Sequence, residues 1–250
     1  MEITGILLAF LDIPAELTVE YNRWYDLDHM PEHVAKGDVL AGRRYVATRE
    51  LRTSPGIEPA AWAGGHPPYL TLYYFGGPLD FAGQEALDGW RTVDRGIVRA
   101  GRYWQEGRGT YSGRWRLEAA RARPSVLVAP RAVPYLAHRG VIVAAGKAPS
   151  ADRRGEAVRW WDDVHLVDLF AVPGVLGALR FRAEDPSAGD QLLHVLLCED
   201  PPGEVMERIE AARRGHRATG RYPAYGGVYE STAFLPYERI VPLEYDFDVE

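Results

Sequence analysis

The chain has 250 residues, a formal net charge of −6 and a single cysteine, Cys198. The mild acidity argues against a nucleic-acid binder, which needs a dominant basic face. The lone cysteine excludes an internal disulfide and a cysteine metal cluster, and it fits a reducing cytoplasm. No apolar stretch reaches about 18 residues, so no membrane span is predicted. The N-terminus lacks the basic region of a secretory signal, so we expect a cytoplasmic protein.

The first half reads as strand, helix, strand, strand, helix, strand. After a strand at 3–11, the apolar spacing that follows Pro14 predicts a helix that ends or turns at Pro31. A loop rich in Pro and Gly covers 54–68. The remaining predicted elements are strands at 39–50, 69–75 and 109–119 and a second helix at 78–97.

The second half repeats that order. Its predicted strands cover 138–145, 175–183, 190–198 and 226–234, and its helices cover 155–170 and 202–215. We therefore divide the chain into a ferredoxin-like repeat 1 at 1–119, a linker at 120–134, and a ferredoxin-like repeat 2 with a C-terminal tail at 135–250.

One phrase occurs in both halves. The pattern Arg-Trp-aromatic-Asp-x-x-His occupies 23–29 and again 159–165. Aligning 20–47 with 156–183 gives ten identities in 28 positions, which indicates an internal duplication. A βαββαβ unit forms an antiparallel sheet with both helices on one face. The prediction is thus an α+β fold in which two tandem ferredoxin-like repeats pack sheet to sheet.

The residues of this phrase resemble a known family. The first copy has Asn22, Arg23, Trp24, Tyr25, Asp26, His29 and Pro31, followed by V-L-A-G-R-R-Y. It resembles the EthD-type branch of the dimeric α+β barrel proteins. The second copy departs from it with Val158 and Val167 in place of Asn and Pro. The resemblance implies a fused dimeric α+β barrel. Relatives on this fold include polyketide cyclases, lactone isomerases, cofactor-free quinol monooxygenases and haem-using peroxidases, so the fold does not choose a reaction.

The repeated acid and imidazole are the candidate catalytic groups. Because a spacing of three puts two side chains on one helix face, Asp26 should lie near His29 and Asp162 near His165. A neighbouring carboxylate would raise the pKa of the imidazole and make it a general base. Repeat 1 is favoured because its phrase has more polar neighbours. The alternative is a structural clasp that caps the helix.

The candidate substrate-binding residues are aromatic or carry groups that could meet a small ligand: Trp24, Tyr25, Asn22, Arg44, Tyr73, Trp160, Trp161 and Arg180. The alternatives are core packing for the tryptophans and salt bridges to the helix carboxylates for the two arginines. Strand alternation puts Tyr69, Thr71 and Tyr73 on one face and Leu70, Leu72 and Tyr74 on the other.

Together these features favour a cofactor-independent acid/base enzyme acting on a small aromatic or polyketide-like compound. It would be a cyclase, dehydratase or isomerase of secondary metabolism or aromatic catabolism. We expect no metal, because Pro31 should break the helix between His29 and His33. The expected partner is a small-molecule substrate, with no nucleic acid and no membrane, and a homodimer is left open. The alternatives are a non-catalytic small-molecule binding protein and a haem-dependent oxidoreductase or cofactor-free monooxygenase.

Overall fold

Eight antiparallel strands close into one barrel in the order β1-β3-β2-β8-β5-β7-β6-β4. The computed structural model describes residues 2–36, 39–76, 84–184, 191–220 and 227–249. The predicted α+β fold of two tandem ferredoxin-like repeats is confirmed. The strands are β1 Ile3–Asp12, β2 Val39–Val46, β3 Tyr69–Gly76, β4 Arg108–Ala122, β5 Gly140–Lys147, β6 Val175–Ala183, β7 Gln191–Cys198 and β8 Glu230–Arg239.

Two helical layers cover the outside of the barrel. Repeat 1 supplies a composite helix, here called the repeat-1 motif helix, and the helix Gln84–Arg99. Repeat 2 supplies the repeat-2 motif helix and the helix Pro202–Ala218. In chain order the motif helices consist of Ala15–Leu17, Thr18–Trp24, Tyr25–His29 and Met30–Ala35, and of Ala151–Arg153, Arg154–Trp160, Trp161–His165 and Leu166–Phe170. Among the residues described, no helix has the length and apolar character needed to cross a bilayer.

The two repeats share their strand register. Leu8 pairs with Leu72 in repeat 1, and their counterparts Val143 and Val195 pair in repeat 2. The next pair of strands repeats the match, because Arg44 lies opposite Thr71 and Arg180 lies opposite His194. The duplication seen in the sequence is therefore also a duplication of hydrogen-bond geometry.

The seams that join the repeats are unequal. Strands β4 and β6 share seven residue pairs, whereas β2 and β8 share only the pairs Tyr45–Arg239 and Val46–Glu238. Beyond those two pairs, a loop residue takes the edge of β8: Glu58 and Phe234 exchange backbone hydrogen bonds of 3.2 and 2.9 Å. The repeat-1 loop therefore satisfies backbone groups that β2 leaves unpaired.

Side chains fill the inside of the barrel. Leu8, Leu72, Trp115, Val143 and Val195 are all fully buried there. The predicted alternation in β3 is confirmed, because Leu70, Leu72 and Tyr74 belong to this core while Tyr69 and Tyr73 pack with the helix layer. Since these side chains pack the interior, the cavities described below lie outside the barrel, between sheet and helices.

Strands β2, β4 and β8 depart from their predicted boundaries by three residues or more. Strand β2 ends at Val46, and the chain forms a short helix, Arg49–Arg52, whose first turn is capped by the Thr48 hydroxyl, which accepts a 3.3 Å hydrogen bond from the Leu51 N–H. Strand β4 extends to Ala122, inside the predicted linker. Strand β8 begins at Glu230 and continues to Arg239, later than predicted. Residues 78–83, 190 and 226 of predicted elements lie outside the described residues.

The sequence predicted that the repeat-1 motif helix would end or turn at Pro31. The helix does not end there. It continues to Ala35 through a π-helical turn, Tyr25–His29, placed just before the proline. The repeat-2 motif helix has the same turn over Trp161–His165, where Val167 replaces the proline. The π turn is therefore a property of the repeated phrase and not a response to Pro31. Such turns are frequently found at functional sites.

Candidate functional site

The π turns stack a tryptophan on a histidine in each repeat. Trp24 lies on His29 with ring centroids 4.8 Å apart and an interplanar angle of 27°, and Trp160 lies on His165 at 5.0 Å and 18°. The two rings of each pair are five residues apart, which in an α-helix would separate them by about 140° around the axis. The wider π turn brings them to the same side.

The expected Asp–His pairs are wrong. Asp26 accepts hydrogen bonds from Arg44 Nη1 at 2.9 Å and from the Tyr245 hydroxyl at 2.6 Å. In repeat 2, Asp162 pairs with Arg180 and with Arg121 Nη2, the latter at 3.1 Å. Among the residues described, no hydrogen bond joins either aspartate to its histidine.

The physical reason lies in the helix geometry and in the competing partner. Residues three apart are nearly aligned in an α-helix, but the wider π turn moves Asp26 around the axis from His29. A guanidinium on β2 is a stronger partner for a buried carboxylate than a neutral imidazole. The alternative interpretation of Arg44 and Arg180, as salt-bridge partners of the helix carboxylates, is confirmed.

Arg44 is the centre of a clamp that holds the repeat-1 motif helix on β2. Its guanidinium donates to Asp26 and to the Asn22 side-chain oxygen, and it lies over the Tyr25 ring, 4.2 Å from the centroid. Asn22 is fully buried and Arg44 is 5% exposed. Because Asn22, Asp26 and Arg44 are used in this clamp, none of them lines the cavity described next.

A cavity of about 300 Å³, here called the repeat-1 cavity, lies between the repeat-1 motif helix, β1, β3 and β4. Four predicted site residues meet there: Trp24, Tyr25, His29 and Tyr73. The Tyr73 hydroxyl donates a 2.8 Å hydrogen bond to the Tyr25 hydroxyl, which ties the helix to β3. The volume is at the small end of the range typical of ligand pockets.

The far wall of this cavity contains residues that the sequence analysis missed: Trp90, Asp94, Tyr103 and Trp104. Trp90 and Asp94 belong to the helix Gln84–Arg99, and the other two follow it. The segment after this helix, which contains Tyr103 and Trp104, is held in place because Trp24 Nε1 donates a 2.6 Å hydrogen bond to the Arg102 carbonyl. The available signal was the spacing of Trp90 and Asp94, one helical turn apart, followed by an adjacent Tyr-Trp pair.

One end of the cavity is polar. His33 Nε2 lies 3.2 Å from Asp94 Oδ1, and the His33 ring centroid lies 4.7 Å from that of His29. Trp90 stacks on His33 at 3.6 Å and 17°. The Nδ1 atom of His29 is buried and has no hydrogen-bond partner among the residues described.

Burial keeps both repeated imidazoles neutral. Loss of solvent lowers the pKa of His29 to about 3, with a further lowering from His33, while Asp94 acts in the opposite direction. Burial also lowers the pKa of His165 to about 3, assisted by Arg213. Each imidazole is therefore uncharged at neutral pH, and the expected carboxylate-raised general base is not formed.

The equivalent space in repeat 2 is smaller, and the charged residues that line it are Glu58, Arg213 and Arg217. Its cavity of about 220 Å³, here called the repeat-2 cavity, is lined by the predicted residues Trp160, Trp161 and His165 together with Arg213 and Arg217. Arg213 lies over the Phe234 ring at 4.2 Å. The predicted residues Asp162 and Arg180 pair with each other and do not line this cavity.

The described residues do not fit a haem in either cavity. An axial histidine needs a free nitrogen that points into a slot wide enough for the macrocycle. His29 is covered by Trp24 at 4.8 Å and by the Tyr25 edge at 4.8 Å. His165 is enclosed in the same way by Trp160 and Trp161 at 5.0 and 4.6 Å. With aromatic rings this near, the described residues leave no slot as wide as a porphyrin beside either imidazole.

No protein-family model and no curated protein sequence shows significant similarity to the chain. Solved structures do share its fold. A protein assigned to the DyP-type peroxidases, from Shewanella oneidensis, superposes with a TM-score of 0.55 and 8% identity over 99% of this chain and 96% of its own. A protein assigned as a chlorite dismutase gives 0.53 and 11% over 97% and 96%.

A variant chlorite dismutase from Candidatus Nitrospira defluvii gives a TM-score of 0.51 and 11% identity, covering 98% of this chain and 94% of its own. The likeness extends over both repeats, so it includes the pairing of the two sheets. At such low identity it is a likeness of architecture. The chain therefore has the tandem dimeric α+β barrel fold that these structures share.

Proposed function

We propose that the chain is an oxidoreductase that binds a small, flat phenolic compound in the repeat-1 cavity and oxidises it with dioxygen, which accepts the electrons and protons that the phenol loses. The observation that carries the proposal is the cavity itself, a space of about 300 Å³ with aromatic walls and one polar end at His29 and Asp94. Pockets of this composition bind ligands by apolar contact and orient them with a few polar groups.

The aromatic walls favour a planar ligand. The Trp24 ring on the motif helix lies 5.9 Å from the Trp104 ring and 6.1 Å from the Tyr103 ring on the far wall, measured between centroids. A planar ring can make offset or edge contacts with such walls. The ligand hydroxyl would then donate a hydrogen bond to an uncharged imidazole nitrogen of His29, which orients the phenol in the cavity.

The acid/base alternative, a cyclase, dehydratase or isomerase, depends on an imidazole with a pKa near neutrality. With Asp26 bound to Arg44 and the pKa of His29 lowered to about 3, that requirement is not met. The oxidoreductase class is also the class named for the peroxidase and chlorite dismutase structures that share the fold. Assignment to the EthD-type branch continues to rest on the repeated phrase alone.

The test is oxygen uptake by the full chain with a panel of naphthols and dihydroxynaphthalenes, read with an oxygen electrode and by mass spectrometry of the products. We expect protein-dependent uptake. It should fall by roughly 100-fold or more in His29→Ala, which removes the polar end of the cavity. The melting temperature of His29→Ala should stay close to that of the control variant His165→Ala. The control loses the matched imidazole of repeat 2 and should keep its activity.

Two outcomes contradict the proposal. If a phenol binds by calorimetry and no product forms, the chain is a non-catalytic binding protein, the alternative retained from the sequence. If His165→Ala loses activity and His29→Ala keeps it, the reaction takes place in the other repeat.

A further inference from the structure

Three metal-ligating side chains converge at the polar end of the repeat-1 cavity. His29 and His33 come from the repeat-1 motif helix, and Asp94 comes from the helix Gln84–Arg99 that faces it. One ring nitrogen of each histidine and one carboxylate oxygen lie within 4.8 Å of one another. The sequence argument against a metal assumed that Pro31 separates the two histidines, but the helix continues through the proline.

The set of donors is chemically specific. Two imidazoles at positions i and i+4 present their nitrogens on one side of a helix. With one carboxylate from a second element they make a two-histidine, one-carboxylate set, which suits zinc and iron(II) and leaves coordination positions open. His29 and Asp94 both line the cavity, so those open positions would face its interior.

An independent observation points to a missing ligand. His29 is 6% exposed, and its Nδ1 atom has no hydrogen-bond partner among the described residues. A buried polar atom without a partner costs about 1–3 kcal/mol. A metal ion bound to the His29 imidazole would give a buried ring nitrogen a partner and so remove this cost. His165 Nδ1 has no partner among the described residues either, so this observation supports a metal only together with the three converging donors of repeat 1.

The surroundings hold the donors in place. Trp24 stacks on His29 at 4.8 Å, and Trp90 stacks on His33 at 3.6 Å. Two ligand atoms bound to a tetrahedral zinc ion are about 3.4 Å apart when the metal–ligand bonds are about 2.0–2.1 Å long. His33 and Asp94 already meet that spacing at 3.2 Å. The third donor, a ring nitrogen of His29, lies within 4.8 Å of these two atoms.

Among the described residues of repeat 2, no such set of three donors comes together. The position that corresponds to His33 is Leu169, and Asp94 corresponds to Arg217 at the offset that aligns the third strands. A leucine offers no donor, and an arginine repels a cation. Both repeats have the Trp–His stack, but among the described residues only repeat 1 places two further donors, His33 and Asp94, beside its histidine.

We propose that His29, His33 and Asp94 form a binding site for a divalent first-row transition metal at the inner end of the repeat-1 cavity. Binding of the ion does not depend on the proposed function. A role for the ion in oxidising the phenol rests on that function.

The test is titration of the chelator-treated full chain with Co²⁺, followed by visible absorption, and with Zn²⁺, followed by calorimetry. We expect one ion per chain. Asp94→Asn and His33→Leu, which copies repeat 2, should each weaken binding by about 100-fold or more. The matched controls are Asp88→Asn on the same helix and His165→Leu in the other repeat, and both should bind like the unaltered chain. Circular dichroism checks the fold of each.

The proposal is overturned if the unaltered chain binds neither ion at millimolar concentration, or if Asp94→Asn binds as tightly as Asp88→Asn. If His33→Leu does not fold, Asp94→Asn alone decides, because the Asp94 side chain is 30% exposed and tolerates the change. Oxygen uptake measured before and after chelation separates the two proposals. Binding without uptake ends the proposed function only, and uptake without binding ends the metal site only.

Discussion

The two cavities differ at the positions that determine chemistry and agree at those that build the helix. Both repeats have the π turn, the Trp–His stack and an Asp–Arg pair that fastens the motif helix to the second strand. Only repeat 1 adds His33 and Asp94, and repeat 2 presents Arg213 and Arg217 instead. The identical Asp–Arg pair is therefore scaffold, and what distinguishes His29 from His165 is the divergent residues around it, His33 and Asp94.

The Asp–Arg pairs provide the largest expected effect. Arg44→Met leaves Asp26, whose side chain is 9% exposed, with Tyr245 as its remaining partner. Breaking a buried pair in this way should cost about 3 kcal/mol of unfolding free energy. Arg180→Met should cost less, because Asp162 keeps Arg121 at 3.1 Å. Denaturant unfolding of both variants measures the difference. Equal losses of unfolding free energy would show that the remaining partners, Tyr245 for Asp26 and Arg121 for Asp162, do not make the two Asp–Arg pairs differ.

Acidification should destabilise the chain through its buried imidazoles. Because burial lowers the folded-state pKa of His165 to about 3, the unfolded chain binds a proton first as the pH falls, so stability is lost below the ordinary histidine pKa of about 6.5. Between about pH 7 and pH 5 this residue should account for about 2 kcal/mol. Arg213 and His216 act in the same direction and Asp168 opposes them.

The comparison that isolates His165 uses His165→Leu. Between about pH 7 and pH 5, both chains lose unfolding free energy. The loss in His165→Leu should be about 2 kcal/mol smaller than the loss in the unaltered chain. Denaturant titrations at the two pH values measure this. A pH dependence identical to that of the unaltered chain would mean that His165 is not held neutral.

The smallest effect is expected at the C-terminal tail, which has no counterpart in the other clamp. Tyr245→Phe removes the 2.6 Å hydrogen bond to Asp26 and leaves Arg44 in place. A single hydrogen bond to a charged group contributes about 1.5–3 kcal/mol when buried, and this tyrosine is half-buried. We expect a loss of about 1 kcal/mol in unfolding free energy. No loss would show that the tail does not reinforce the clamp.

The repeated phrase and the spacing of apolar residues were sufficient to predict the fold, because a duplicated βαββαβ unit has few ways to bury its bare sheet face. Four site residues, Trp24, Tyr25, His29 and Tyr73, were brought together as expected. The partners of Asp26 and His29 were not predictable, since the π turn that separates them has no recognised sequence signal.

Two other features depend on long-range contacts. Asp94 reaches His33 only after the second helix packs across the first, and no local pattern encodes that contact. The loop residue Glu58 pairs with Phe234 of β8, because β2 pairs with β8 over only two residues. Local periodicity predicts elements well and predicts contacts between distant elements poorly.

The most direct test of the contrast between the cavities is a crystal structure of the full chain with 1-naphthol. The account predicts the naphthol ring against Trp24 in the repeat-1 cavity, with its hydroxyl toward His29, and no ligand beside Trp160. A naphthol bound in the repeat-2 cavity alone, or bound with His29 still enclosed and out of contact with it, would contradict the account.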